Sequence, residues 1–127
     1  MATLTARLTL TSNDWHSDSL SLSPNQTLTI SGDEQAVGRY TTAASDTKIP
    51  VGGFDSTDKK VWVYLKNTSS TTGEKIMIKE DNSGSVGQTF AVLGAGEFML
   101  LPYGGNDNIW TEAATGTPVI EYGIWEV

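Results

Sequence analysis

The start of the chain alternates with period two. In LTARLTLT, Leu4, Ala6, Leu8 and Leu10 take every second position, with Thr5, Arg7 and Thr9 between them. Successive side chains of a strand point to opposite faces, so this spacing predicts a strand with one apolar and one polar face. The pattern returns in SLSLS, with Leu20 and Leu22, and in TLTIS, with Leu28 and Ile30. The Pro24–Asn25–Gln26 spacer between those two runs reads as a hairpin turn. The N-terminal part is therefore expected to form three short strands with Ser and Thr facing water.

The rest of the chain keeps the same character. AVGRYTTAA (36–44) reads as a strand, and residues 46–60 read as a long loop or arm with a short extended piece around Ile49 to Val51. KVWVYLKN (60–67) is apolar on both faces, as a central strand is. EKIMIKE (74–80), GQTFAVL (87–93), EFMLLPY (97–103), NIWTEAA (108–114) and PVIEYGIWEV (118–127) follow, separated by turn residues such as DNSGS and Gly104–Gly105–Asn106–Asp107. Ser and Thr make up 29 of 127 residues, Gly adds 13, and no run carries helical spacing. Eight to ten short strands at this spacing predict an all-β fold, a single-domain antiparallel β-sandwich over 1–127 of jelly-roll-like type. No helix is expected.

Composition narrows the chemistry. There is no cysteine, which removes disulfides, thiolate metal sites and thiol catalysis. Fifteen acidic against eight basic residues give a net charge of −7, with no basic cluster, which argues against nucleic acid and anionic membranes as partners. The first residues lack a basic-then-apolar leader pattern and no apolar run reaches bilayer length, so a chain made soluble in the cytosol is expected.

No catalytic constellation stands out. His16 is the only histidine, in SNDWHSD, and a Ser/His/Asp set built from sequence neighbours is not how a triad is assembled. The acidic groups Asp55/Asp58, Glu80/Asp81 and Asn106/Asp107/Asn108 do not follow calcium-loop spacing, so they read as solvated turns. Glu112, Glu121 and Glu126 lie on expected strands without a distinguished pair. Asn25–Gln26–Thr27 and Asn67–Thr68–Ser69 match the N-glycosylation pattern and read as chance matches in a Thr-rich chain. No enzyme activity, cofactor or metal is expected.

The aromatic residues carry the remaining signal. Trp62 with Tyr64, and Trp110, are expected to fill a core or an interface, whereas Trp125 is out of phase with Ile120, Tyr122 and Ile124 and reads as an exposed anchor. Trp15, Phe54, Trp125 and Val127 are the interface candidates, and the C-terminal strands are expected to supply the most apolar exposed surface. A Trp62, Trp110 and Trp125 platform for sugars is the alternative.

The stretches VWVYLKNTSSTTGEKIMIKE (61–80), FAVLGAGEFMLLPYGG (90–105) and TPVIEYGIWEV (117–127), with the LTLTSND start (8–14), resemble small virion structural proteins of tailed phages infecting cyanobacteria and marine bacteria. The resemblance implies a non-enzymatic virion component, a capsid decoration or cement protein that bridges coat subunits on the outside of the shell. The implied partners are the major capsid protein or other virion proteins, and a homotrimer or other homo-oligomer is expected. The alternative role is a carbohydrate-binding or host-adhesion module on the head or tail surface.

Overall fold

A computed structural model describes residues 2–12, 20–30, 35–49, 60–104 and 108–127. The expectations for Trp15, His16 and Phe54, and for most of the 46–60 loop, lie outside those residues. The chain groups into two compact units, residues 1–31 with Val127 and residues 32–126. Among the described residues every regular element is a strand and all pairings are antiparallel.

The first unit is a two-stranded ribbon. β1 (Ala2–Arg7) pairs with β4 (Asn25–Ile30), and β2 (Leu10–Ser12) pairs with β3 (Leu20–Leu22). Arg7 opposes Asn25 and Leu10 opposes Leu22, so one register runs through both pairs. Between them the Leu8 amide donates to the Pro24 carbonyl at 3.2 Å. Pro24 has no N–H to return the bond, which is why the ladder is interrupted there. This corrects the hairpin turn expected at Pro24–Gln26: residues 20–22 and 25–30 continue along one arm and do not pair with each other. It also adds a strand to the three expected.

The second unit holds two four-stranded sheets. One runs β10 (Phe98–Gly104), β7 (Lys60–Asn67), β12 (Val119–Glu126), β5 (Gln35–Thr41). The other runs β6 (Thr47–Lys48), β11 (Trp110–Thr115), β8 (Lys75–Asn82), β9 (Ser85–Leu93). The pairs β5–β12, β6–β11, β7–β10 and β8–β9 nest antiparallel about the β8–β9 hairpin, and the pairs β7–β12 and β8–β11 complete the two sheets. The bend of that hairpin is Ser83–Gly84, both with positive φ (53° and 85°), between the paired residues Asn82 and Ser85. Left-handed conformations at both central residues match the strand twist, and Gly84 adopts one without steric cost.

Alternation then makes the core. Val61, Val63 and Leu65 of β7 and Ile120 and Ile124 of β12 pack with Ile76 and Ile78 of β8 and Leu93 of β9, joined by Ile49 and Ile109. Each is 5 % exposed or less, which identifies the space between the sheets as the dry interior. Polar ties cross it. The Tyr40 and Thr111 hydroxyls share a hydrogen bond of 2.5 Å, and the Asn67 amide donates to the carbonyls of Glu74 (3.2 Å) and Leu93 (3.1 Å). β5, β7, β8, β9, β10, β11 and β12 coincide with expected strands to within a few residues. The twelve strands among the described residues exceed the eight to ten expected, because the ribbon holds four strands and residues 47–48 form β6.

Candidate interaction surface

Residues of the core sheet that do not face the interior lie on its outer face, where the register orders them in rows. Phe98, Lys66, Glu121 and Arg39 form the first row. Leu100, Tyr64, Gly123 and Val37 form the second, and Pro102, Trp62, Trp125 and Gln35 the third. Val37, Phe98 and Leu100 are 41 to 69 % exposed, so these apolar side chains stand open among the described residues.

Trp125 shapes the centre of that face. A Cβ on Gly123 would run into the Cη2, Cζ2 and Cζ3 carbons of the indole, so the six-membered ring of Trp125 lies over Gly123. Glycine at 123 is therefore a demand of close approach rather than of backbone angle. The first row supplies fixed charge. Arg39 donates twice to Glu121, from Nε at 2.7 Å and from Nη2, and the Tyr64 hydroxyl donates to the other carboxylate oxygen at 3.2 Å. The bond from Arg39 holds the Glu121 carboxyl below the usual carboxylate range, while burial and then the Glu121 charge push the Tyr64 hydroxyl up. Aromatic residues and arginine on a flat apolar patch are the composition found at the centre of protein interfaces.

The outer face of the second sheet is more mixed. Lys79 bonds Asp46 at 2.7 Å and also Glu112, and these bonds raise its pKa. Phe90 and Val92 alternate with Ala91 and Leu93 of the interior and stand open on this face, and the β8–β9 register shifts beside Phe90, where Ile78 opposes Ala91 and Lys79 opposes Thr89. Trp110 lies on this sheet, in β11.

The ribbon offers a second apolar surface. Its register places even-numbered residues of both arms on one face, so Leu4, Ala6, Leu8 and Leu10 lie beside Leu22, Leu28 and Ile30. The opposite face carries Thr3, Thr5, Arg7, Thr9 and Thr11 with Ser21, Ser23, Asn25, Thr27 and Thr29. Leu28 is buried, but Leu8, Leu10 and Leu22 are 43 to 50 % exposed. A two-stranded ribbon is marginal in water by itself, and open leucines such as Leu8, Leu10 and Leu22 are the kind of apolar patch that marks a contact site.

These positions correct several expectations. Trp62 and Tyr64, expected in a core or an interface, lie on the outer face of the sheet and outside the core, and Trp110 lies on the other sheet, so Trp62, Trp110 and Trp125 form no common platform. Trp125 stands on the outer face, half-buried, and Val127 follows the end of β12. The most exposed apolar side chains belong to the ribbon, β5, β9 and β10 rather than to the C-terminal strand. Val37, Phe98 and Leu100 were missed, although EFMLLPY, apolar at every residue after its glutamate, shows that one of its faces must remain outside. Among the described residues no group of three or more His, Asp or Glu is placed to hold a metal.

No protein-family model matches the chain, and no curated protein matches it. A solved structure from Bacillus endospore appendages, described as a novel family of disulfide-linked pili, is similar over 73 % of this chain and 82 % of its own, with a TM-score of 0.57 and 18 % identity. The likeness is one of fold.

Proposed function

We propose that this chain is a non-enzymatic structural subunit that assembles with copies of itself on a larger particle. One observation carries the reading: among the described residues, large apolar side chains stand open on the ribbon (Leu8, Leu10 and Leu22) and on the β10–β7–β12–β5 face (Val37, Phe98 and Leu100). Patches of that kind mark interaction sites in soluble proteins. A single histidine and no cysteine leave few of the usual catalytic groups, which supports a structural role.

Two likenesses support the same class. The fold is shared with a structure from a pilus, and the strand order of the two sheets supports the jelly-roll-like winding expected from the sequence. The sequence resemblance to tailed-phage virion proteins supports the narrower role of a decoration subunit on the outside of a capsid, held as a trimer where coat subunits meet. A net charge of −7 suits that place, since it repels packaged DNA and keeps the free subunit soluble.

The decoration role is tested on shells prepared with and without the protein and heated until they rupture. Shells carrying the subunit should withstand a higher temperature, because a bridging ligand adds binding free energy to the intact state alone. Equal rupture temperatures would contradict the role.

A further inference from the structure

We infer that the leucine face of the ribbon of one copy docks on the outer face of the β10–β7–β12–β5 sheet of the next. The inference rests on the self-assembly proposed above and names its two halves. Both surfaces carry open apolar side chains, yet they differ in extent. One is a narrow stripe along two strands, with Leu8, Leu10 and Leu22 open; the other spans four strands, with Val37, Leu100 and Phe98 open around Tyr64 and Trp125. A two-stranded stripe covers part of a four-stranded face, and sheets pack face to face through such side chains at about 10 Å.

Charge disfavours contact between two sheet faces. The ribbon strands carry Arg7 and no carboxylate, whereas the sheet face carries Arg39, Lys66 and Glu121. Joining two sheet faces would bring two sets of Arg39 and Lys66 together, with only the Glu121 pair to offset them. Laying the leucine side of a ribbon on the sheet brings only uncharged residues to it, since Arg7 lies on the ribbon's other face. Such a contact joins unlike patches. It closes as a ring, which includes the expected trimer, or continues as a filament.

Unlike patches permit a mixing test. Leu10→Lys with Leu22→Lys disables the ribbon, and Val37→Lys with Leu100→Lys disables the sheet face; all four side chains are exposed, so each double variant should keep the circular dichroism of the wild type. Lysine moves the net charge toward zero, so lost assembly cannot be assigned to added repulsion. Each double variant alone should associate roughly a hundredfold more weakly than the wild type, as when two central contacts are removed. An equimolar mixture should restore association but stop at two chains in sedimentation velocity, because only one intact ribbon and one intact face can meet. A wild type that assembles, with a folded mixture that stays monomeric or a single variant that still assembles, would overturn the docking and leave self-assembly standing. A wild type that is monomeric throughout would overturn both.

Discussion

Replacing Ile120 by alanine is expected to lower the unfolding free energy by about 3–5 kcal/mol. Ile120 is fully buried in β12, an interior strand with β7 on one side and β5 on the other. Its side chain belongs to the cluster between the sheets, where Leu65 and Ile76 are also fully buried. Removing most of it loses transfer free energy and leaves a cavity, because a strand paired on both sides cannot move in to fill the space. Ile120→Val, which removes one methylene, should cost only about 0.5–1.5 kcal/mol. Chemical denaturation of the two variants checks the gradation, and equal losses would show that the site is not packed as described.

Asn67→Ala is expected to cost about 2–4 kcal/mol, by a different route. Asn67 is fully buried at the end of β7, and its side chain serves three parts of the chain at once. Nδ2 donates to the Glu74 carbonyl ahead of β8 and to the Leu93 carbonyl at the end of β9, while Oδ1 accepts from the Ser69 amide at 3.0 Å. Its backbone joins the turn before β10, donating to the Glu97 carbonyl and accepting from the Gly96 amide, each at 3.0 Å. Alanine would strand two carbonyls and an amide away from water, each at a cost of about 1 kcal/mol or more. Asn67→Asp should be worse at neutral pH, since it sets a carboxylate against two carbonyls in a dry site. Burial raises the folded-state pKa of such a group, so its penalty should fade as pH drops toward the unfolded value of about 3.9. A loss of stability that does not ease on acidification would contradict this account of the site. Burial of Asn67 also explains why the Asn67–Thr68–Ser69 match carries no meaning in the folded chain.

The strands of the sandwich were legible because burial enforces period two wherever a sheet has one dry face. β7 and β8 show it: Val61, Val63, Leu65, Ile76 and Ile78 face inward, with Lys66, Lys75 and Lys79 outward. The pairing was not legible. Short strands of similar composition do not say which neighbour they take, and so the spacer at Pro24 looked like a turn when it is only a missing donor in a continuous ladder. The tryptophans misled for a related reason. An aromatic residue on an alternating strand can face either way, and Trp62 gave no sign that Val61 and Val63 would claim the interior. The surface built by Val37, Leu100 and Tyr64 comes from three strands distant in sequence, joined only by the β5–β12–β7–β10 order. Trp125 differs, because its phase against Ile120 and Ile124 could be read within one strand.

The central claim is the proposal that the open apolar side chains of the ribbon and of the β10–β7–β12–β5 face meet other copies of the chain. Sedimentation velocity of the full-length protein over a wide range of concentration tests it most directly. The account predicts discrete species of three or more chains that grow with concentration and persist in high salt, because the contact is apolar and ionic screening leaves it intact. A monomer at every concentration, with both leucine-bearing surfaces left in water, would contradict it.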